Sequence, residues 1–302
     1  MKLLSISKPS LKSQLSSPSG LTFKIGGFNV NLSSSIGHLA GHLIHLYGEY
    51  ELTEAAQFTD FHVALNPPQL LRRFIRPQVV FSFDGHIPFK PLPFEQASAL
   101  FEWGLNWCIA NHSNQFLILH AAVVEKNGQA IIFPGSPGSG KSTLCAALIL
   151  SGWRLLSDEM ALISTAEGLL YPVPRPVSLK NESIDVIRRF SESAVFGQIV
   201  KDTAKGSVGH LRPPKQSVEL STVPVTPSRL IFPKYREGSK TMLTELDKGK
   251  AMLRAAEDCF NYNVLGALGF DILGDTIDRC DCFTFEYSDL YEAVRLFDGF
   301  HG

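Results

Sequence analysis

The stretch Ile131–Asp158 reads IIFPGSPGSGKSTLCAALILSGWRLLSD and contains a segment of the form G-x-x-x-x-G-K-[ST]. A short apolar run at 130–133 precedes the segment, and a helix-forming run at 142–149 follows it. This order predicts a buried strand, a tight loop and a helix. Glycines allow main-chain N–H groups to turn inward, and the helix directs its positive N-terminal end at the same place. The stretch therefore predicts a phosphate-binding loop.

The loop and the first helical turn supply the residues expected to bind a nucleotide. Lys141 would carry a positive charge to the outer phosphates, and the Ser142 hydroxyl would serve Mg²⁺. The cofactors predicted from this pattern are ATP and Mg²⁺. The expected contact residues are Gly135, Ser136, Pro137, Gly138, Ser139, Gly140, Lys141, Ser142 and Thr143.

Two adjacent acids, Asp158 and Glu159, follow the next apolar run, at 153–156. Gly152 is a natural helix C-terminal cap, so this run can return as a neighbouring parallel strand. A right-handed crossover would put the end of that strand beside the loop, at the sheet edge where α/β proteins bind ligands. We therefore expect the acids to form a Mg²⁺ and general-base pair. The alternative is a pair of solvated turn acids.

The sequence around the loop resembles the HPr kinase/phosphorylase superfamily, most closely the group called HprK-related kinase A. The resemblance is carried by LHAAVV at 119–124, by the loop, and by LSDE at 156–159, and it extends to PRPVSLK at 174–180 and DTAKG at 202–206. In that family a histidine precedes the loop and an acidic pair follows its helix. Here Lys141 follows His120 by 21 residues, and Asp158 follows Lys141 by 17.

The resemblance implies an α/β fold with a P-loop kinase core of the HPr-kinase/PEP-carboxykinase-like type. It also implies ATP-dependent phosphoryl transfer to a serine-type hydroxyl of a protein or peptide, and assembly as a homo-oligomer. HPr kinases proper carry two aspartates where this chain has Asp158-Glu159. The resemblance therefore implies neither HPr as the acceptor nor the reverse, phosphorolysis reaction.

Within this hypothesis the catalytic residues are Asp158, His120 and Lys141. Asp158 would take the hydroxyl proton, and Asp158, Glu159 and Ser142 would serve Mg²⁺. His120, in a strand predicted at 116–125, would orient or charge Asp158; the alternative is a buried core histidine. The competing functions are a nucleotide-binding regulator or ATPase without a phosphoryl acceptor, and a small-molecule kinase.

Basic residues further along the chain are candidate phosphate or substrate contacts. Arg175 lies between prolines, where it is either a solvated loop residue or a phosphate ligand. The segment Lys201–Lys215 carries Lys205 and Arg212 among glycines and prolines. It predicts a loop that is mobile without ligand and closes over phosphates. The alternative is an ordinary surface loop.

Composition and charge are those of an ordinary globular enzyme. The 302 residues are 44% hydrophobic and 19% charged, with a net charge of −1, which does not favour nucleic acid as a partner. No apolar run predicts a membrane span, and the first residues do not resemble a signal peptide. Five cysteines predict a reduced, cytoplasmic protein.

Composition shifts along the chain predict three regions. Residues 1–20 are rich in Ser, Pro and Lys and predict a flexible tail. Residues 21–92 predict a small α+β N-terminal module, with β-hairpins at Gly26-Gly27 and Asp84-Gly85. Residues 93–302 are expected to form the P-loop kinase domain.

Overall fold

The structure is a computed structural model that describes residues 1–53, 58–69 and 75–301. It is a mixed α/β fold whose described part contains four β-sheets, of six, five, three and three strands. The prediction of an α/β class is confirmed at this level. No helix in the described ranges combines the length and apolar character needed to cross a membrane.

The N-terminal part is built on a five-stranded sheet in which consecutive strands are neighbours. Buried residues alternate with partly buried ones along the strands, so one face packs on a core. The hairpin predicted at Gly26-Gly27 is present. The turn at Asp84-Gly85 is also present, but the chain directly after it makes a single bridge, between His86 and Phe83, and pairs again with the strand before the turn at Leu92 and Pro93. The strands are β1 (Leu21–Ile25), β2 (Phe28–Ser34), β3 (Phe61–Asn66), β4 (Gln78–Phe83) and β5 (Leu92–Pro93).

The segment predicted to be a flexible tail is instead a helix packed on this sheet, so that prediction was wrong. Helix α1 (Lys8–Leu15) begins where the Ser7 side chain accepts the Ser10 N–H. Leu11 and Leu15 of this helix are almost completely buried in the core. The serine-rich composition conceals a capped helix with an apolar face.

Two longer helices complete this layer, α2 (Leu39–Tyr47) and α3 (Ala97–His112). Gly104 of α3 lies so close to Phe81 that a Cβ atom there would come within 2.0 Å of the Phe81 ring. Although α3 falls in the predicted second domain, it packs on the N-terminal sheet. The division into domains near residue 92 stays a prediction.

A six-stranded mixed sheet forms the centre of the second part. Strands β8, β15 and β17 run parallel, and the other three are antiparallel to their neighbours. The parallel strands end side by side at one edge of the sheet. In order across the sheet the strands are β16 (Met242–Glu245), β17 (Asp281–Tyr287), β15 (Pro227–Tyr235), β8 (Gln129–Pro134), β7 (Ala121–Lys126) and β9 (Arg154–Ser157).

Strand β9 is not the direct neighbour of β8, which corrects the sequence-based prediction. β7 lies between them and is antiparallel to both. β8 and β9 therefore still run in the same direction and end at the same edge. The hairpin at Asn127-Gly128, which joins β7 to β8, supplies the strand in between.

Helices cover both faces of the central sheet and make three layers. Alternate residues of β8 point to opposite faces: Ile131 and Phe133 join one core, and Ala130 and Ile132 join the other. The first core holds α4 (Lys141–Leu150), α5 (Glu182–Phe190) and α10 (Leu290–Asp298). The second holds α7 (Lys248–Glu257), α8 (Tyr262–Leu265) and α9 (Ala267–Arg279).

Two small sheets flank the edge where the parallel strands end. The first contains β11 (Leu170–Tyr171), β10 (Ala161–Ser164) and β6 (Phe116–Leu119). The second contains β12 (Val177–Lys180), β14 (Gly206–Leu211) and β13 (Val200–Thr203). The strand predicted at 116–125 is divided at His120, where the chain leaves one sheet and enters another.

Candidate functional site

The glycine loop, residues 135–140, joins β8 to α4 at the edge of the central sheet. Gly135, Gly138 and Gly140 have φ values of +144°, +89° and +94°, in the region that favours glycine. A Cβ atom on Gly140 would lie 2.5 Å from the Tyr287 hydroxyl, so only glycine fits. That hydroxyl donates to the Gly140 carbonyl at 3.0 Å, and the Tyr235 N–H donates to the Ser139 carbonyl at 2.9 Å. The ends of β15 and β17 thus hold the loop in place.

Helix α4 begins directly after the loop, with Gly140 as its N-cap and no side-chain cap. Its first N–H groups and its positive end therefore face the loop, which is the arrangement that binds anions at helix N-termini. The Lys141 ammonium donates to the carbonyls of Gly135 and Ser136. Burial lowers the pKa of Lys141, and the charges of Glu159 and Asp158 oppose that shift. Lys141 therefore lies over the loop, within the field of the acid pair.

Asp158 is the buried acid at the end of β9, with only 5% of its surface exposed. Its Oδ2 accepts the Ser178 N–H at 2.9 Å, while Oδ1 is buried and makes no well-formed hydrogen bond. Burial, and then the negative charge of Glu159, raise the pKa of Asp158 to about 7, against the lowering effect of Ser178, Ser142 and Lys141. A carboxyl group with this pKa is suited to accept a proton near neutral pH.

Glu159 lines the groove beside the loop and lies among basic side chains. Its Oε2 lies 3.6 Å from His120 Nε2, and about a third of its side chain is exposed. Burial raises the pKa of Glu159, but His120, Lys180 and Lys205 together lower it to about 2. The two adjacent acids thus differ: the surroundings favour the ionised form of Glu159 and oppose that of Asp158.

His120 contacts Glu159 and not Asp158, which corrects the prediction that it orients or charges Asp158. It lies in the bend between β6 and β7, where the main-chain N–H of His120 donates to the main-chain carbonyl of Asp258 at 2.8 Å. Its ring lies against Phe260, with 5.5 Å between the ring centroids. The change of sheet at this bend turns the side chain toward the second acid of the pair.

Lys205, a predicted contact residue, lies at the turn of the β13–β14 hairpin and faces the acid pair. Burial and the charge of Lys180 lower the pKa of Lys205, and Glu159 opposes this. Its Nζ also lies 5.6 Å from the Trp103 ring centroid. Lys180, on β12, was not predicted as a site residue. Lys180 could have been found from the sequence, because it lies in the 174–180 segment that carries the family resemblance, two residues after Ser178.

Two predicted contacts lie elsewhere. Arg175 is buried, and its Nη2 donates to Glu102 Oε2 at 2.6 Å, so it pairs with a carboxylate and not with a phosphate. Arg212 is exposed and lies outside the groove around the loop. The segment Lys201–Lys215, predicted as a loop, is instead the β13–β14 hairpin followed by α6 (Lys215–Glu219), and its predicted closure over phosphates stays a prediction. The corrections for Arg175 and for the Lys201–Lys215 segment both arise from long-range pairing, with Glu102 and with β12 respectively.

A groove of about 820 Å³ runs along the loop and has two unlike ends. One end carries the charged groups Asp158, Glu159, His120, Lys180 and Lys205. Toward the other end lie the apolar and aromatic residues Val186, Phe190, Leu290 and Tyr291, with the charged Arg189 and Asp289 beside them in the chain. The rings of Phe190 and Tyr291 lie 4.7 Å apart. A volume of this size suits a small-molecule ligand with one charged and one flat end.

The oxygens near the acids can serve a magnesium ion together with phosphate and water. Ser142, Asp158 and Glu159 all line the groove and offer hydroxyl and carboxylate oxygens, the ligand type that Mg²⁺ takes. The unpartnered Oδ1 of Asp158 fits this role. In the ranges that the structure describes, no group of three His, Cys, Asp or Glu side chains forms a metal centre by itself.

Comparison with protein families finds a match over the middle of the chain. The family model described as "ScmC: SynChlorMet cassette protein ScmC" matches residues 105–179, about a quarter of the sequence. The matched range includes His120, the glycine loop and the acid pair. A comparison with curated proteins finds no match.

Proposed function

We propose that this protein is a P-loop kinase that transfers the γ-phosphoryl group of ATP to a serine-type hydroxyl of a protein or peptide, in the manner of HPr kinases. The observation that carries the proposal is the pairing, across one groove, of the glycine loop with a buried carboxylate whose pKa lies near 7. A phosphate-binding loop alone serves many functions. A nearby base with a suitable pKa supports proton abstraction from an acceptor hydroxyl.

The two ends of the groove support one orientation of ATP. Phosphates would lie along the loop, with the terminal phosphoryl group toward the acids and the two lysines, Lys180 and Lys205. The nucleoside would lie toward Phe190 and Tyr291, because aromatic side chains stack on bases. Helix α5 runs from the charged end to Phe190 over about 12 Å, at about 1.5 Å per residue.

The proposed reaction is a single displacement at the γ-phosphorus. The acceptor oxygen forms a bond to phosphorus, its proton passes to Asp158, and the bond to the β–γ bridging oxygen breaks to release ADP. Lys141 would stabilise the charge that develops on the leaving phosphate, and Lys205 would stabilise charge on the transferred group. Bound Mg²⁺ would add neutralisation of phosphate charge, with Ser142, Asp158 and Glu159 as its protein ligands.

Two other features fit this proposal. The resemblance at 119–124, 156–159 and 174–180 covers residues that line the groove, which supports membership of the HPr-kinase-like group. All five cysteines are free, and four of them are buried, which supports a cytoplasmic protein.

The test identifies the molecule that receives the γ-phosphoryl group of ATP. The purified protein is incubated with γ-labelled ATP, Mg²⁺ and an extract of its own cells. We expect label on serine of a protein or peptide, and none with the Asp158→Asn variant. Label released only as free phosphate would make the protein an ATPase, and label in a small metabolite would make it a small-molecule kinase. ATP binding without either outcome would identify a regulator.

A further inference from the structure

A buried carboxylate, Glu102, lines the same small cavity as the acid pair. It is on α3, and its residue is only 2% exposed. The Tyr47 hydroxyl donates to Oε2 at 2.7 Å, and His42 Nε2 lies 2.9 Å from Oε1. Burial raises the pKa of Glu102, but Arg175, His42 and His210 lower it to about 2. Glu102 is therefore an ionised group that is fully surrounded by partners.

Arg175 joins Glu102 to the segment that leads to the site. Its Nη2 donates to the Glu102 carboxylate at 2.6 Å and to the Glu102 main-chain carbonyl at 2.7 Å. Its Nη1 donates to Asn106 Oδ1. The guanidinium is planar, and its three acceptors all lie on α3, so its orientation relative to that helix is fixed. The main chain at residue 175 is therefore held in place relative to α3.

The segment fixed by Arg175, residues 174–178, orients the Asp158 carboxylate through a main-chain hydrogen bond. Three residues after Arg175, the Ser178 N–H donates to Asp158 Oδ2 at 2.9 Å, and this is the well-formed hydrogen bond of that carboxylate. Prolines at 174 and 176 restrict the main chain on either side of Arg175. The Tyr50 hydroxyl donates to the Pro174 carbonyl, which gives the segment a second anchor from the N-terminal part of the chain.

The anchor and the acid pair share the wall of one small cavity. Glu102, Asn106, Arg175, Asp158 and Ser178 all line it. Its volume of about 20 Å³ has room for about one water molecule. Because Arg175 and Asp158 line the same cavity, a shift of the Arg175 segment would change the surroundings of Asp158.

We propose that Glu102 and Arg175 are positioning residues for Asp158. They hold the 174–178 segment so that the Ser178 N–H orients the carboxylate toward the groove. Calling Asp158 the base rests on the proposed function, whereas the positioning itself does not. The N-terminal part of the chain thus contributes to the site through α3 and Tyr50.

The test uses Arg175→Lys, which keeps the charge and loses the planar fork. Amide hydrogen exchange at Ser178 reports the positioning without nucleotide. We expect exchange at Ser178 to be faster by about tenfold or more, because its hydrogen bond opens more often.

Turnover of Mg-ATP gives a second readout. It should fall by about tenfold or more in Arg175→Lys, with ATP affinity kept within about threefold. Arg154→Lys is the matched control. Arg154 is equally buried and pairs with Glu125 and two carbonyls, but has no link to Ser178. Asn106→Ala is a milder variant that removes one Arg175 partner and should shift each readout in the same direction.

The outcomes separate the two proposals. Unchanged Ser178 exchange in Arg175→Lys would overturn the positioning role, as would equal effects in Arg154→Lys. If Arg175→Lys does not fold, Asn106→Ala decides by the same readouts. A wild-type protein without Mg-ATP turnover would overturn the proposed function, while the exchange result would still decide the positioning role.

Discussion

Replacing Asp158 with asparagine should stabilise the protein at alkaline pH. The native fold raises the pKa of this carboxyl from 3.8 to about 7, because it is buried and lies beside Glu159. A carboxyl with a raised pKa stabilises the fold below its unfolded pKa and loses that contribution as pH rises through the folded pKa. Asparagine keeps an oxygen for the Ser178 N–H and has no charge to bury.

The size of the effect follows from the shift. A rise of about three pKa units lowers the free energy of unfolding by about 4 kcal/mol as the pH goes from below 4 to above 7. About 2–3 kcal/mol of this loss falls between pH 5 and pH 8. Glu159 stays ionised across this window, since its pKa is lowered to about 2. The variant should therefore gain about 2 kcal/mol over the wild type on going from pH 5 to pH 8.

Urea unfolding of both proteins at pH 5 and pH 8 measures this difference. Asp271→Asn, an exposed position on α9, controls for the replacement chemistry. Refutation would take either of two forms: a variant that is no more stable than the wild type at pH 8, or a gain that is the same at both pH values. Either result would mean that the fold does not oppose the charge on Asp158.

Three further predictions concern the groove. Lys141→Ala should lower Mg-ATP turnover by about a hundredfold or more with an unchanged melting curve, since it removes a positioned charge; equal turnover would remove the loop from the reaction. Tyr291→Ala should weaken ATP binding by about tenfold but leave inorganic triphosphate binding unchanged in calorimetry, since only the base would stack there; equal losses for both ligands would contradict the orientation of ATP. Lys205→Ala should lower turnover by about tenfold, whereas Arg212→Ala, its exposed control, should not; matching effects would exclude a special role for Lys205.

Local sequence was sufficient to predict the parts of the site that lie close together in the chain. The loop at 135–140 needs glycine at positions that only glycine tolerates, so its pattern is specific. Asp158 and Glu159 were expected beside the loop from the handedness of crossovers alone. That expectation holds although β9 is not next to β8, because the inserted β7 leaves β8 and β9 running in the same direction.

The errors about the site share one cause, which is pairing between distant segments. Nothing near Arg175 in the chain reveals Glu102, the carboxylate that pairs with it more than seventy residues earlier. Glycines and lysines at 201–215 suggested a loop, but pairing with β12 makes the segment a strand pair. His120 was expected to face Asp158, and the change of sheet after β6 turns it to Glu159. Such contacts depend on the tertiary fold, which no local pattern specifies.

The most direct test of the central claim compares Asp158→Asn with the wild type in two assays, calorimetric titration with Mg-ATP and transfer of labelled phosphate to acceptor protein. A base that acts in the transition state should affect turnover far more than ground-state binding. In Asp158→Asn, ATP affinity should stay within about threefold of the wild type, and transfer should fall by about a hundredfold or more. Transfer at a near-normal rate would contradict it and would leave Asp158 as a structural residue beside the loop.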